Sequence, residues 1–222
     1  MTTQSFADLG VPAPWVRVLT ELGITDPFPI QSATLPDALA GRDVLGRGKT
    51  GSGKTLAFSL PLVATLAGRR SQPSRPTGLV LAPTRELATQ ITAVLQPLAA
   101  ASGLRVATIF GGVSQNKQVS ALRSGVDIVV ACPGRLEDLM RQKLVRLDDV
   151  ATTVLDEADH MADLGFLPGV TRILAATPAG GQRLLFSATL DNGVDKLVTR
   201  FLRNPVLHSV DEVTEVPAAM TH

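Results

Sequence analysis

Only one cysteine, Cys132, occurs among the 222 residues. An internal disulfide is therefore excluded and a lone thiol cannot build a zinc site, both in keeping with a reducing compartment. No uncharged apolar run approaches the roughly 18 residues of a membrane span. Met1–Gly10 has neither the basic start nor the apolar core of a signal peptide. The expected location is cytoplasmic, without a membrane partner. Neither charge sign dominates: 21 basic and 20 acidic side chains leave a net charge of +1. Composition is therefore silent about a polyanionic partner, whose recognition depends on basic residues clustered on one face. Apolar residues, by contrast, make up 45% of the chain, which excludes disorder and supplies a core for one large domain or two small ones.

Short apolar runs at Asp43–Gly46, Gly78–Ala82, Leu104–Phe110, Asp127–Ala131, Ala151–Leu155, Arg183–Phe186 and Val206–Val210 have the character of buried strands. Helical spacing fills most of the gaps, over Lys54–Ala67, Arg85–Ala101, Gln115–Arg123, Arg135–Arg141, Val170–Ala176 and Asp191–Phe201. Such alternation predicts an α/β fold, a parallel sheet with helices on both faces. The polar stretch Gly68–Thr77 is expected to be a surface loop within the domain. No repeat of fixed period is present.

Gly48-Lys-Thr50-Gly51-Ser52-Gly53-Lys54-Thr55 matches G-x-x-x-x-G-K-[ST], directly after a predicted strand and before a predicted helix. Glycines 48, 51 and 53 let the backbone wrap phosphates with its N–H groups inward, and the helix adds the positive end of its dipole. Lys54 is expected to reach the β- and γ-phosphates, and Thr55 to ligate Mg²⁺. About 100 residues further on, the strand Thr153-Val-Leu ends in Asp156-Glu157, where ligands bind on open α/β sheets. Adjacent acids suit a division of labour in which Asp156 holds the metal shell and Glu157 activates water.

The tetrad Asp156-Glu157-Ala158-Asp159 spells the motif that names the DEAD-box RNA helicases, and companion motifs follow in order. Pro83-Thr84-Arg85-Glu86-Leu87-Ala88 resembles motif Ia, Gly111-Gly112 the GG motif, Cys132-Pro133-Gly134-Arg135 motif Ib, and Ser187-Ala188-Thr189 motif III. Phe6 lies 17 residues before Gly23, as the family's isolated aromatic does, and Gly23 to Gln31 resembles the Q motif. The abundance of arginine over lysine, 16 to 5, fits a GC-rich bacterial coding sequence.

The resemblance implies a RecA-like P-loop NTPase domain over residues 1–210. Residues 211–222 would begin a linker to a second RecA-like domain of the same chain, absent from this sequence together with the arginine that completes the ATP site. ATP and Mg²⁺ are the implied cofactors, with Lys54, Asp156 and Glu157 catalytic and Phe6, Ile24, Gln31 and residues 50–55 around the nucleotide. The Gln31 amide both donates and accepts, which suits the Hoogsteen edge of adenine; by itself a glutamine at a helix start is more often solvated, and the resemblance favours the adenine role.

Pro83, Thr84, Arg85, Gly112, Pro133, Gly134 and Arg135 would grip RNA backbone without reading sequence; taken singly, the two helix starts among them are ordinary caps. Ser187 and Thr189 would couple the site by bonding the Asp159 carboxylate. Ribonucleoprotein or RNA-degradation assemblies are partners in keeping with such a family. Three residues depart from the pattern: Ile24 where an aromatic is common, Phe28 in place of Thr or Ser, and Cys132 in place of Thr. Two other functions fit the phosphate loop alone: a nucleotide- and RNA-binding module without turnover, and a DNA-directed P-loop ATPase.

Overall fold

The computed structural model describes residues 3–49 and 53–210. Seven parallel strands form one sheet: β1 (Val44–Arg47), β2 (Gly78–Leu81), β3 (Val106–Ile109), β4 (Ile128–Ala131), β5 (Thr152–Leu155), β6 (Gln182–Ser187) and β7 (Val206–Ser209). Their order is β3-β4-β2-β5-β6-β1-β7. Helices α1 (Ala13–Glu21), α2 (Pro29–Leu39), α3 (Lys54–Leu66) and α4 (Arg85–Ala100) contribute to the core on one face of the sheet. The other face carries α5 (Asn116–Gly125), α6 (Pro133–Arg141), α7 (Ala158–Asp163), α8 (Leu167–Ala175) and α9 (Val194–Phe201).

Side chains alternate between faces along each strand, and helices cover both faces, so β2, β4, β5 and β6 are buried along their whole length, whereas the edge strand β7 alternates with exposed positions. Val44, Val80, Val154 and Leu184 point into the first core, where Phe58 and Phe186 meet at 5.7 Å. Leu45, Leu79, Leu155 and Leu185 point into the second. Each of the seven predicted strands is present: five are trimmed, β1 is shifted by one residue and β6 is longer by one residue at each end. Helices α1, α2 and α7 are additions to the expected pattern.

The polar loop after α3 is fixed to its surroundings. Arg75 makes two hydrogen bonds to the Asp149 carboxylate, at 2.9 and 3.0 Å, and the Ser74 N–H donates to the Leu122 carbonyl. A second polar cluster ties the N-terminal ends of the strands. The Asp43 carboxylate accepts the backbone N–H groups of Arg183 and Arg203. The buried Arg183 guanidinium donates to the Phe201 carbonyl and the Thr177 hydroxyl. The Gln182 amide donates to the carbonyls of Ala38 and Arg42, tying the C-terminal end of α2 to β6.

Candidate active site and phosphate-binding loops

The order of the sheet sets β6 between β1 and β5, so the phosphate loop after β1 and the acidic motif after β5 open at the same edge with motif III between them. Lys54 opens α3 behind Gly53, whose φ of +85° is the left-handed conformation glycine tolerates. A Cβ at position 53 would stand 2.4 Å from the Phe28 ring and 2.6 Å from Gln31 Nε2, so glycine is required there for close approach as well.

Lys54 Nζ lies 3.8 Å from Asp156 Oδ1, both side chains being almost wholly buried. Burial pushes the Asp156 carboxyl up to about 6. The Lys54 charge opposes that rise, and Glu157 and Asp159 add to it. Asp156 Oδ1 also accepts the Glu157 N–H at 2.9 Å. Glu157 itself is left-handed, at φ 50° and ψ 53°, a strained conformation for a side-chain-bearing residue and one that concentrates at functional sites. Its carboxylate lies 3.3 Å from His160 Nδ1 one helical turn on. Lys54, Glu157 and His160, with Asp159 and Ala188, border a recess of about 190 Å³. Thr55 follows Lys54 at the start of α3, half-buried. Thr50, Gly51 and Ser52 fall outside the described residues.

A larger recess, about 360 Å³, is lined by residues 23–26, Phe28, Gln31 and Leu56. Gln31 stands at its wall with two hydrogen bonds already made. Its Oε1 accepts the Phe28 N–H and its Nε2 donates to the Gly53 carbonyl, both at 2.9 Å. One amide hydrogen and one oxygen lone pair remain for a ligand. Gln31 thus caps α2 and joins it to the phosphate loop. Ile24 lines the recess as expected, but Phe6 does not. Phe6 is 3% exposed and packs in the core cluster that also holds Leu9, Val11 and Trp15, where a large apolar ring is better removed from water.

The loops after β2, β3 and β4 meet at the same end of the sheet. Thr84 caps α4, its hydroxyl accepting the Leu87 N–H. The Arg85 guanidinium sits 4.7 Å from the centre of the Phe110 ring. It also lies against Gly112, where a Cβ would come within 3.0 Å of Nη1. Arg135 donates to the Val113 carbonyl at 2.8 Å and to Gln118 Oε1 at 3.1 Å, and Gln118 in turn donates to the Phe110 carbonyl. The expected RNA-contacting residues are therefore assembled, but part of the Arg135 donor set is spent on shaping the loop at Gly112. Pro133 begins α6 and Gly134 is exposed beside it. Cys132 precedes them; burial, with a smaller contribution from Glu86, pushes its thiol up to about 11, against the influence of Arg85.

At motif III the geometry differs from expectation. Ser187 Oγ accepts the backbone N–H of Asp159 at 3.1 Å and donates to the Thr189 carbonyl. Its link to the acidic motif runs through the main chain, not through the Asp159 carboxylate. His160, Phe110 and Gln118 escaped the reading of the sequence. His160 alone had a local signal, its i,i+3 spacing from Glu157 on a helix.

A family model described as DEAD/DEAH box helicase matches residues 28–197. The chain is 43% identical to DEAD-box ATP-dependent RNA helicase 28 of Oryza sativa, over 98% of this chain and 27% of that protein. It is 44% identical to ATP-dependent RNA helicase DeaD of Klebsiella pneumoniae, over 90% of this chain and 31% of that protein. The yeast DEAD-box splicing factor Prp28 superposes with a TM-score of 0.87 at 35% identity, over 94% of this chain and 51% of that one. A DEAD box protein of Methanococcus jannaschii superposes with a TM-score of 0.85 at 30% identity, over 93% and 56% respectively. The chain thus spans well under half the length of these two sequence relatives and about half that of the two solved structures.

Proposed function

The chain belongs to the DEAD/DEAH box helicase family, and from that footing we propose that it is the ATP-binding domain of an ATP-dependent RNA helicase. One observation carries the reading: a buried ammonium and a buried carboxylate, from Lys54 and Asp156, face each other at 3.8 Å. A purely structural ion pair would close to about 2.7–2.9 Å to offset its desolvation. A looser pair at the strand ends suits a polyphosphate and its counter-cation.

In this reading Lys54 donates to the β- and γ-phosphates. Thr55 and Asp156 offer only oxygen donors, a set that fits Mg²⁺, which retains several waters and takes the rest of its shell from substrate phosphates. When held by Thr55 and Asp156, Mg²⁺ would supply positive charge to offset the negative charge developing on the phosphates. Glu157 accepts a proton from the attacking water, and His160 beside it restricts where that carboxylate points. Gln31 uses its remaining donor and acceptor on adenine.

RNA backbone would run across the helix starts at Thr84 and Pro133 and the loop at Gly112, with Arg85 and the uncommitted donors of Arg135 meeting phosphates. A second RecA-like domain beyond residues 211–222 would supply the remaining arginine. Closure of the two domains would then join ATP hydrolysis to local strand separation of RNA. We place the protein in the cytoplasm; no helix among the described residues is long and apolar enough to cross a membrane.

Titration calorimetry tests the site directly. The 222-residue chain should bind ATP with Mg²⁺, and Lys54→Ala should weaken that binding more than tenfold, whereas unchanged affinity would overturn the assignment. RNA-stimulated turnover should need the second domain, since an arginine finger is worth about 10³–10⁵ in rate.

A further inference from the structure

Phe28 is a large aromatic side chain left 55% exposed on the wall of the recess that holds Gln31. The other large exposed hydrophobics among the described residues, Leu22, Val113, Leu164 and Leu207, are aliphatic and none lines that recess. Its backbone is fixed on both sides. Oε1 of Gln31 holds the Phe28 N–H, and Pro29 follows as the first residue of α2. The ring lies against Gly53, where even one added carbon would collide with it. The ring thus lies beside Gly53 on the same recess wall as the Gln31 amide, where a nucleotide would pass if its phosphates reach Lys54 and its base reaches Gln31. Ile24, the neighbouring candidate for contact with the base, is half-buried, packs against the core and has no π-face.

We infer that Phe28 supplies the aromatic contact to the adenosine moiety of ATP in this chain, in place of the aliphatic residue at position 24. The inference rests on the nucleotide reading of the site. A ring anchored before the ligand arrives loses little conformational freedom on binding, and an aromatic contact adds to simple burial of apolar area. Because the same residue is the cap of α2 and Gln31 holds its N–H, base contact and hydrogen-bond recognition are presented as one rigid unit.

Phe28→Leu keeps an apolar side chain of similar size and removes the ring; because position 28 is exposed, the fold should be retained, as a melting curve would verify. ATP affinity should fall roughly two- to tenfold, and affinity for inorganic tripolyphosphate, which has no base, should stay level. Phe28→Tyr should bind ATP like the parent, and isotope-filtered NMR on the parent should give nuclear Overhauser contacts from the Phe28 ring to adenosine protons. Equal ATP affinity for the parent and Phe28→Leu, or a parallel loss for tripolyphosphate, would overturn the inference and leave the nucleotide reading standing. A parent chain that binds neither ATP nor tripolyphosphate would sink both.

Discussion

Lys54 and Asp156 stand beyond the ends of β1 and β5, strands that β6 separates, yet their charged groups approach to 3.8 Å and both side chains are almost wholly buried. The carboxyl titrates at about 6, against 3.8 for an ordinary aspartate, chiefly because burial disfavours its charged form. Attraction to Lys54 does not cancel that cost.

A stability measurement follows. The folded chain holds the Asp156 proton more tightly than the unfolded chain, so stability is fully present below pH about 4 and declines as pH rises to about 6. Asp156→Asn removes the ionisation. At pH 7.5 the variant should be more stable by about 1–3 kcal/mol, the upper figure corresponding to roughly two pKa units, and it should melt several degrees higher. At pH 4 the gain should vanish. Parallel melting curves at every pH would contradict the burial argument. Nucleotide binding with Mg²⁺ should be weakened in the same variant.

Glu157→Gln preserves shape and the left-handed backbone while removing the base. In the full-length protein it should bind ATP within about twofold of the parent and turn over at least about 100-fold more slowly, the lower end of what a positioned general base contributes. Turnover at the parental rate under single-turnover conditions would assign water activation elsewhere.

Cys132 should be chemically quiet. A thiol raised from 9.0 to about 11 carries about 100-fold less thiolate at neutral pH. Alkylation by iodoacetamide at pH 7.5, followed by mass spectrometry, should therefore be about two orders of magnitude slower than for a free thiol of ordinary acidity, and urea should restore the ordinary rate. Rapid labelling of the folded chain would refute the buried environment.

Arg135 should matter for shape as much as for charge. Its bonds to Val113 and Gln118 hold the loop against which Arg85 lies. Gln118→Ala removes one of those partners and no cation. It should weaken binding of single-stranded RNA by the full-length protein a fewfold, with ATP affinity unaltered. An RNA affinity equal to the parent's would confine Arg135 to direct phosphate contact.

The strands were legible because a sheet covered on both faces leaves continuous apolar runs, and β2 and β4 show this without interruption. The glycine-rich run before α3 and the acid pair after β5 could be singled out because their residue patterns are local in sequence. Helix α2 was not: Pro29 and Pro36 interrupt its pattern, and it buries Ile30, Gln31, Thr34, Leu35 and Ala38 with little amphipathic contrast. Gln31 could be singled out, but its bond to Gly53, 22 residues away, is a product of packing. The same holds for Ser187, whose partner proved to be a main-chain amide. Phe6 had a position consistent with a site but a chemistry equally suited to the core, and packing decided.

The polar tie of Asp43, Gln182 and Arg183 sits at the strand ends opposite the site. It ties β1 to β6 and to the segment after α9 without using any residue near the phosphates. Mechanical integrity and chemistry are thus lodged at opposite poles of one sheet. Substitutions at the candidate site should therefore leave this foundation intact, whereas a change as mild as Arg183→Lys should lower the stability of the protein more than it alters the site.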